Sequence, residues 1–363
     1  MGGERNKKSA GAEAIIPEYH KAKTMSSIPP EATPSPDTSG FLDRTLRPSA
    51  WDDYVGQENI KANLKILIGA ARERHHPPEH VLFYGPPGLG KTTLAYLMAK
   101  EAGGTLKVTS GPAVERVGDL ASLLTNLAEG DILFIDEIHR LPKTVEEVLY
   151  PAMESGFLHI VIGKGPSART IELPLPPFTL VAATTRVALI SSPLRSRFSG
   201  GVFRLSFYTE GELRSILARS ASLLAIEAEG EAISLIASRS RYTPRTANYL
   251  LKRARDYAQI KRAPLTKEMA EEALRVLEVD TLGLTPADRK ILEVLIKNFG
   301  GGPVGLGTLA AAIAEEQATV ADVHEPYLLQ AGLLERTPRG RIATKAAYIH
   351  IGEKPPVASE SLL

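Results

Sequence analysis

The chain has no cysteine, a single tryptophan, few aromatics (6%) and no surplus of either charge, with 43 Lys and Arg against 42 Asp and Glu in 363 residues. Without cysteine there is no disulfide framework, and no thiolate metal or iron–sulfur site can form. No apolar run approaches the roughly 20 residues that cross a bilayer. The N-terminal stretch lacks the apolar core of a signal peptide, which leaves the cytoplasm as the expected compartment. A formal net charge of +1 excludes a globally basic nucleic-acid coat but permits a local basic stripe. What is present, 43% hydrophobic residues over this length, suffices for two or three domains with cores of their own.

Patterning divides the chain. Residues 1–40 are rich in Pro, Ser, Thr, Gly and Lys, and cannot bury enough surface to offset their ordering entropy, so a disordered tail is expected there and a second over 356–363. Between 41 and 208 short apolar runs at Val81–Tyr84, Leu106–Thr109, Ile132–Ile135, Phe178–Ala183 and Val202–Leu205 read as strands buried on both faces. Helical spacing at Thr93–Ala102, Asp119–Ala128 and Val145–Glu154 lies among them, which predicts an α/β domain with a parallel sheet. Residues 209–281 carry helical patterning alone and predict a small all-helical domain. Over 282–355, helical stretches that include Leu306–Ala314 and Val320–Ala331 precede two strand-like pieces joined by Pro338-Arg339-Gly340. That succession describes a C-terminal winged helix, a shape that serves DNA binding or protein interaction.

The strongest chemical signal is Gly85-Pro-Pro-Gly88-Leu-Gly90-Lys91-Thr92, which fits G-x-x-x-x-G-K-[ST] between an expected strand and an expected helix. In such a P-loop, backbone N–H groups and a helix N-terminus wrap the phosphates. Lys91 would reach the β- and γ-phosphates, Thr92 would coordinate Mg²⁺, and Thr93 extends the cradle. Farther on, the apolar strand Ile132-Leu-Phe-Ile ends in Asp136-Glu137, at the edge where open α/β sheets hold ligands. Asp136 would hold the magnesium through its water shell and Glu137 would orient or deprotonate the attacking water. Thr185, in Ala182-Ala183-Thr184-Thr185-Arg186, ends another buried strand and can hydrogen-bond the γ-phosphate or the water. In Ser192-Pro193-Leu194-Arg195-Ser196-Arg197, the two arginines suit a finger given in trans to a neighbouring subunit, though a solvated arginine pair has the same appearance. Tyr242-Thr243-Pro244-Arg245 puts a guanidinium in the first turn of a helix, available to an incoming phosphate. The cluster His75-His76-Pro77-Pro78-Glu79-His80 is no metal site, because its prolines break helical spacing.

These elements in this order, followed by a helical lid, look like an AAA+ ATPase. Leu46-Arg47-Pro48, Asp53-Tyr54-Val55-Gly56-Gln57, GPPGLGKTT, LFIDEIHRL at 133–141, PPFTLVAATTR at 176–186, SPLRSRF, GGPVGLGTLAAAI at 301–313 and ERTPRGRIAT at 335–344 resemble the RuvB family of Holliday-junction branch-migration motors. The likeness runs from about Leu46 to Gly352. It implies that Leu46, Arg47, Tyr54 and Val55 surround the adenine while Tyr208 and Arg245 complete the pocket. Arg197 would be the finger, with Glu154 near the next subunit's nucleotide. Arg336 and Arg341 would touch DNA, in a wing where Arg336, Arg339, Arg341 and Lys345 cluster with Glu335 as the sole acid. The resemblance further implies ATP and Mg²⁺ as cofactors, a homohexamer on duplex DNA at Holliday junctions, RuvA docked on a hairpin spanning Phe157–Leu173, and RuvC as a further partner. Two departures from the family pattern are the long N-terminal tail and one additional residue in Ser199–Phe203.

Three other readings compete. A clamp-loader-type switch shares the ATPase motifs. A protein unfoldase needs an aromatic pore loop after the P-loop, whereas Tyr54-Val55-Gly56 precedes it. A transcription regulator needs base-reading side chains, and Val320–Ala331 offers mainly apolar and acidic ones.

Overall fold

The computed structural model describes residues 45–162 and 169–356. Apart from Pro356, both expected tails lie outside the described residues, as does the expected hairpin turn Gly163–Pro166. The strands run β1 Val81–Tyr84, β2 Leu106–Ser110, β3 Ile132–Asp136, β4 Phe157–Ile162, β5 Arg169–Pro174, β6 Thr179–Thr184 and β7 Gly201–Arg204. Five of them form one parallel sheet in the order β2-β3-β6-β1-β7. The strands β1, β3 and β6 are buried almost throughout, which their unbroken apolar runs require. Burial on both faces fails for the two outermost strands. Val108 in β2 is 59% exposed and β7 alternates inward and outward. Edge strands have less helix over them, and an apolar run carries no mark of where in a sheet it will pair.

One face of the sheet packs on the helices Glu58–Glu73 and Lys91–Ala102, and its core continues into the helical bundle Glu210–Val276 through Leu213, Leu217, Leu250 and Leu274. The other face is covered by Val117–Thr125 and Lys143–Glu154. Threonines start many of the later helices: Thr209, Thr243, Thr266, Thr285 and Thr344 each accept an N–H of the first turn, and Thr209–Glu212 and Thr285–Asp288 close reciprocal capping boxes.

The strands β4 and β5 pair as an antiparallel ribbon. Leu158 and Leu173 anchor its base in the core, whereas Ile171, opposite Ile160 and nearer the tip, is 42% exposed.

The C-terminal residues build a third core around Ile291, Leu295, Leu309 and Leu328. Its elements are helices Pro286–Phe299 and Leu306–Ile313, a broken helix, the wing strands β8 Leu334–Thr337 and β9 Gly340–Ala343, and a closing helix Lys345–Ile351. The single helix expected over Val320–Ala331 is instead a π-turn at Val320–His324 followed by Glu325–Gln330. Pro326 is the reason, since it has no N–H for the carbonyl one turn back. No helix among the described residues is long and apolar enough to cross a membrane.

Candidate active site

The carboxyl ends of β1, β3 and β6 meet at one edge of the sheet, and each delivers part of the site. After β1 the loop turns through Gly88 (φ +82°) and Gly90 (φ +96°), a left-handed backbone that a side chain would strain. At Gly90 a Cβ would also stand 2.8 Å from the Tyr54 hydroxyl. Gly90 caps the helix Lys91–Ala102, which puts Lys91, Thr92 and Thr93 in its first turn. Lys91 is 7% exposed, and its ammonium donates to the carbonyls of Gly85 and Pro86, both at 2.9 Å. Burial pulls its pKa down to about 8, against the upward pull of Asp136 and Glu137, with Arg245 adding to the depression. A buried cation whose hydrogen bonds go to neutral carbonyls at the N-terminus of a helix is chemically suited to a polyanion.

At the end of β3, Glu137 adopts a left-handed conformation (φ 49°, ψ 45°), a rare one for a non-glycine residue. Its N–H donates to Asp136 Oδ1 at 3.0 Å. Gly111 lets this turn close, since a Cβ there would lie 2.4 Å from the Glu137 carbonyl. The Thr185 hydroxyl, just past β6, donates to Glu137 Oε2 at 3.2 Å. His139 Nδ1 lies 3.1 Å from the same oxygen and 2.8 Å from the hydroxyl of buried Thr184. Burial depresses the His139 pKa, Arg186 and Arg140 depress it further, and Glu137 and Asp322 oppose them. Neither composition nor periodicity points to His139; its signal in the sequence is its place two residues beyond the acidic pair.

Among the described residues no group of three His, Asp or Glu could cage a metal. Mg²⁺ takes one or two protein ligands plus phosphate and water rather than a protein cage. Thr92, in the first turn of Lys91–Ala102, and Asp136, at the end of β3, each carry hard oxygen atoms that would suit such an ion.

Tyr54 and Tyr208 stack their hydroxyls beneath the loop, 3.1 Å apart and both within reach of the Leu89 carbonyl. Burial raises the pKa of each, that of Tyr208 to about 12. Leu46 is buried and its carbonyl accepts from Arg219 at 3.0 Å. The Arg47 guanidinium lies over Tyr96, and Val55 is half-buried beside Tyr54. From the helical bundle, Arg245 stands second in Pro244–Lys261, its N–H donating to the Gly88 carbonyl at 3.4 Å.

Arg197 and Glu154 form a separate pair. Their side chains meet at 3.0 Å, and the guanidinium lies 4.4 Å over the Tyr150 ring and donates to the Pro193 carbonyl at 2.7 Å. In the wing, Arg336 and Arg341 face each other across β8 and β9 and share Glu325, which is 1% exposed. Arg336 Nε donates to Glu325 at 2.8 Å, and Arg341 donates at 3.1 and 3.0 Å. Burial would raise the Glu325 pKa, but the two guanidiniums outweigh it and hold the carboxyl low. Glu335 is therefore not the sole acid among these arginines: Glu325 reaches them from the preceding helix.

Family models match nearly the whole described chain. The Holliday junction DNA helicase RuvB P-loop domain covers 46–205, the RuvB AAA lid domain 208–280 and the RuvB C-terminal winged helix domain 281–352. The chain belongs to the RuvB family. The Holliday junction branch migration complex subunit RuvB of Dehalococcoides mccartyi (strain CBDB1) is 58% identical over 311 residues, 85% of this chain and 89% of that protein. The Thermotoga maritima RuvB Holliday junction branch migration motor is 48% identical with a TM-score of 0.79, over 86% of this chain and all of that one. A point mutant of that Thermotoga maritima protein matches with a TM-score of 0.80 at the same identity, over 85% of this chain and all of that one. The parallel-sheet P-loop domain, helical lid and winged helix expected from the sequence are thus those of RuvB, an AAA+ nucleotide-binding family.

Proposed function

We propose that this chain, an ATP-driven Holliday-junction branch-migration motor of the RuvB family, hydrolyses its nucleotide between the Lys91 cradle and Glu137. The reading rests on one observation: Asp136 and Glu137 at the end of β3 and Arg245 from the helical bundle converge on the buried ammonium of Lys91, which itself donates only to carbonyls of its own loop among the described residues. Lys91 binds the β- and γ-phosphates, Glu137 orients or deprotonates the attacking water, and Thr185, at the end of the neighbouring strand, hydrogen-bonds the γ-phosphate or that water. Thr92 and Asp136 hold Mg²⁺, which when bound screens the phosphate charge. Leu46, Arg47, Tyr54, Val55 and Tyr208 enclose the base; Gly88, Gly90 and Thr93 wrap the phosphates; Arg245 ties nucleotide state to lid position. Arg197, presented by Tyr150 and Glu154, serves the site of a neighbouring protomer in a homohexamer.

Arg336 and Arg341 contact duplex phosphates at the junction, giving affinity without sequence reading. The partly exposed apolar ladder on the β4–β5 ribbon supports the docking of RuvA there, with RuvC joining the assembly on DNA in the cytoplasm. The experiments are ATP-driven migration of a synthetic four-way junction, with and without RuvA, and steady-state ATP hydrolysis by Arg197→Ala mixed with Lys91→Ala. A finger acting in trans gives partial recovery of ATP turnover in the mixtures; no recovery at any ratio refutes it.

A further inference from the structure

The π-turn Val320–His324 of the winged helix touches both other parts of the molecule. Toward the lid, the Val323 carbonyl accepts from Arg241 at 3.1 Å, and within the winged helix His324 Nδ1 lies 2.7 Å from Asp288. Arg241 also pairs with Asp288 at 3.1 Å and lies 4.8 Å over the Tyr327 ring. Asp288 is fully buried, so the turn and the lid are joined by a desolvated, fully paired network. Toward the ATPase domain, Asp322 takes both Nε (2.9 Å) and Nη2 of Arg186 in a bidentate pair.

Arg186 is no bystander. It directly follows Thr185, and its N–H donates to Thr184 Oγ1 at 2.9 Å. The same hydroxyl lies 2.8 Å from His139 Nδ1, which lies 3.1 Å from Glu137 Oε2. An unbroken run of polar contacts therefore leads from a carboxylate of the winged helix to the carboxylate proposed to activate water. In this arrangement Glu137 is engaged by both Thr185 and His139, so its Oε2 is spent on protein partners rather than on a water.

We propose that Asp322 and Arg186 are positioning residues for Glu137, acting as a latch: docking of the winged helix through this pair keeps Glu137 turned onto His139 and Thr185, and withdrawal of the winged helix frees it. The inference rests on Glu137 as the water-activating group. Both partners of the pair are about one-third exposed, so the latch is weak enough for DNA engagement to open it, while the lid network keeps the π-turn and lid moving together.

The test is steady-state ATP hydrolysis by the full chain, without and with a four-way DNA junction. Asp322→Asn is expected to raise the DNA-free kcat about fivefold, leave KM for ATP unchanged and shrink the stimulation by DNA by the same factor. Arg186→Asp combined with Asp322→Arg restores the latch in reverse polarity and is expected to return the DNA-free rate toward that of the parent. Because the chain has no cysteine, labels at Glu147→Cys and Glu335→Cys report the distance between ATPase domain and wing, which Asp322→Asn should lengthen in DNA-free protein. An unchanged or lowered DNA-free kcat, an unchanged label distance, or a reversed pair no better than its single variants would each overturn the latch. Glu137→Gln separates the two claims: turnover that survives this change refutes the base, whereas the label distance in the same background still reads the latch.

Discussion

The nucleotide cradle and the wing both aim cations at the proposed positions of phosphates, and they are built in opposite ways. In the cradle, Lys91 is buried and its hydrogen bonds go to two main-chain carbonyls. Its charge is left without a carboxylate hydrogen-bonded to it, and burial drags its pKa toward 8 until an anion arrives. In the wing, Arg336 and Arg341 clasp one buried carboxylate, Glu325, which fixes the direction of both guanidiniums while cancelling part of their charge. The cradle is suited to grip one phosphate chain at one place. The wing offers oriented donors with a modest net pull, which suits a duplex that has to be held and then let go.

The contrast is tested hardest at the cradle. Lys91→Ala is expected to abolish measurable ATP binding, because nothing else in the loop carries a full positive charge. Glu137→Gln should leave binding in place and lower turnover about 10³-fold. Equilibrium binding of a fluorescent ATP analogue beside steady-state hydrolysis separates the two; a Glu137→Gln variant that failed to bind would mean that the carboxylate shapes the cradle rather than the chemistry.

At the wing the expected effects are smaller and fall on stability first. Glu325→Ala leaves two guanidiniums without their shared partner and is expected to cost the winged helix about 2–3 kcal/mol, read from urea melts. Arg336→Ala removes the more exposed arginine and should weaken duplex binding at every sequence alike, with the salt dependence of log K losing about one unit of slope. If Arg336→Ala changed stability and left the salt slope intact, the arginines would be scaffolding and the wing would bind DNA elsewhere.

The same contrast explains what could be read along the chain. The cradle is local: β1, the glycines, Lys91 and the helix after it occupy consecutive residues, and β3 ends in its acidic pair, so pattern and spacing reveal them. The wing and the domain joint are not local. Glu325 meets Arg336 and Arg341 only after the chain has folded back, and Arg186 finds Asp322 136 residues away. No periodicity encodes such pairs. Val320–Ala331 shows helical spacing throughout, and only Pro326 hints that hydrogen bonding has to widen into a π-turn there. Val108 reads as core by composition, yet lies on an outermost strand.

The finest of these effects concerns how firmly the cradle is tied down. Tyr54 and Tyr208 lie 3.1 Å apart with the Leu89 carbonyl 3.5 and 3.2 Å away, so that carbonyl has two hydroxyl donors in reach. Removing one hydroxyl, as in Tyr54→Phe, leaves the other in place and is expected to cost about 1 kcal/mol. Removing both strands a buried acceptor at the base of the loop, so Tyr54→Phe with Tyr208→Phe should cost more than the sum of the single changes by about 1 kcal/mol. Urea melts of the four proteins complete that cycle. Strict additivity would mean that the hydroxyls act independently and the loop is held by its glycines and Lys91 alone; a positive coupling would make the tyrosine pair a clamp under the cradle, with no counterpart in the wing.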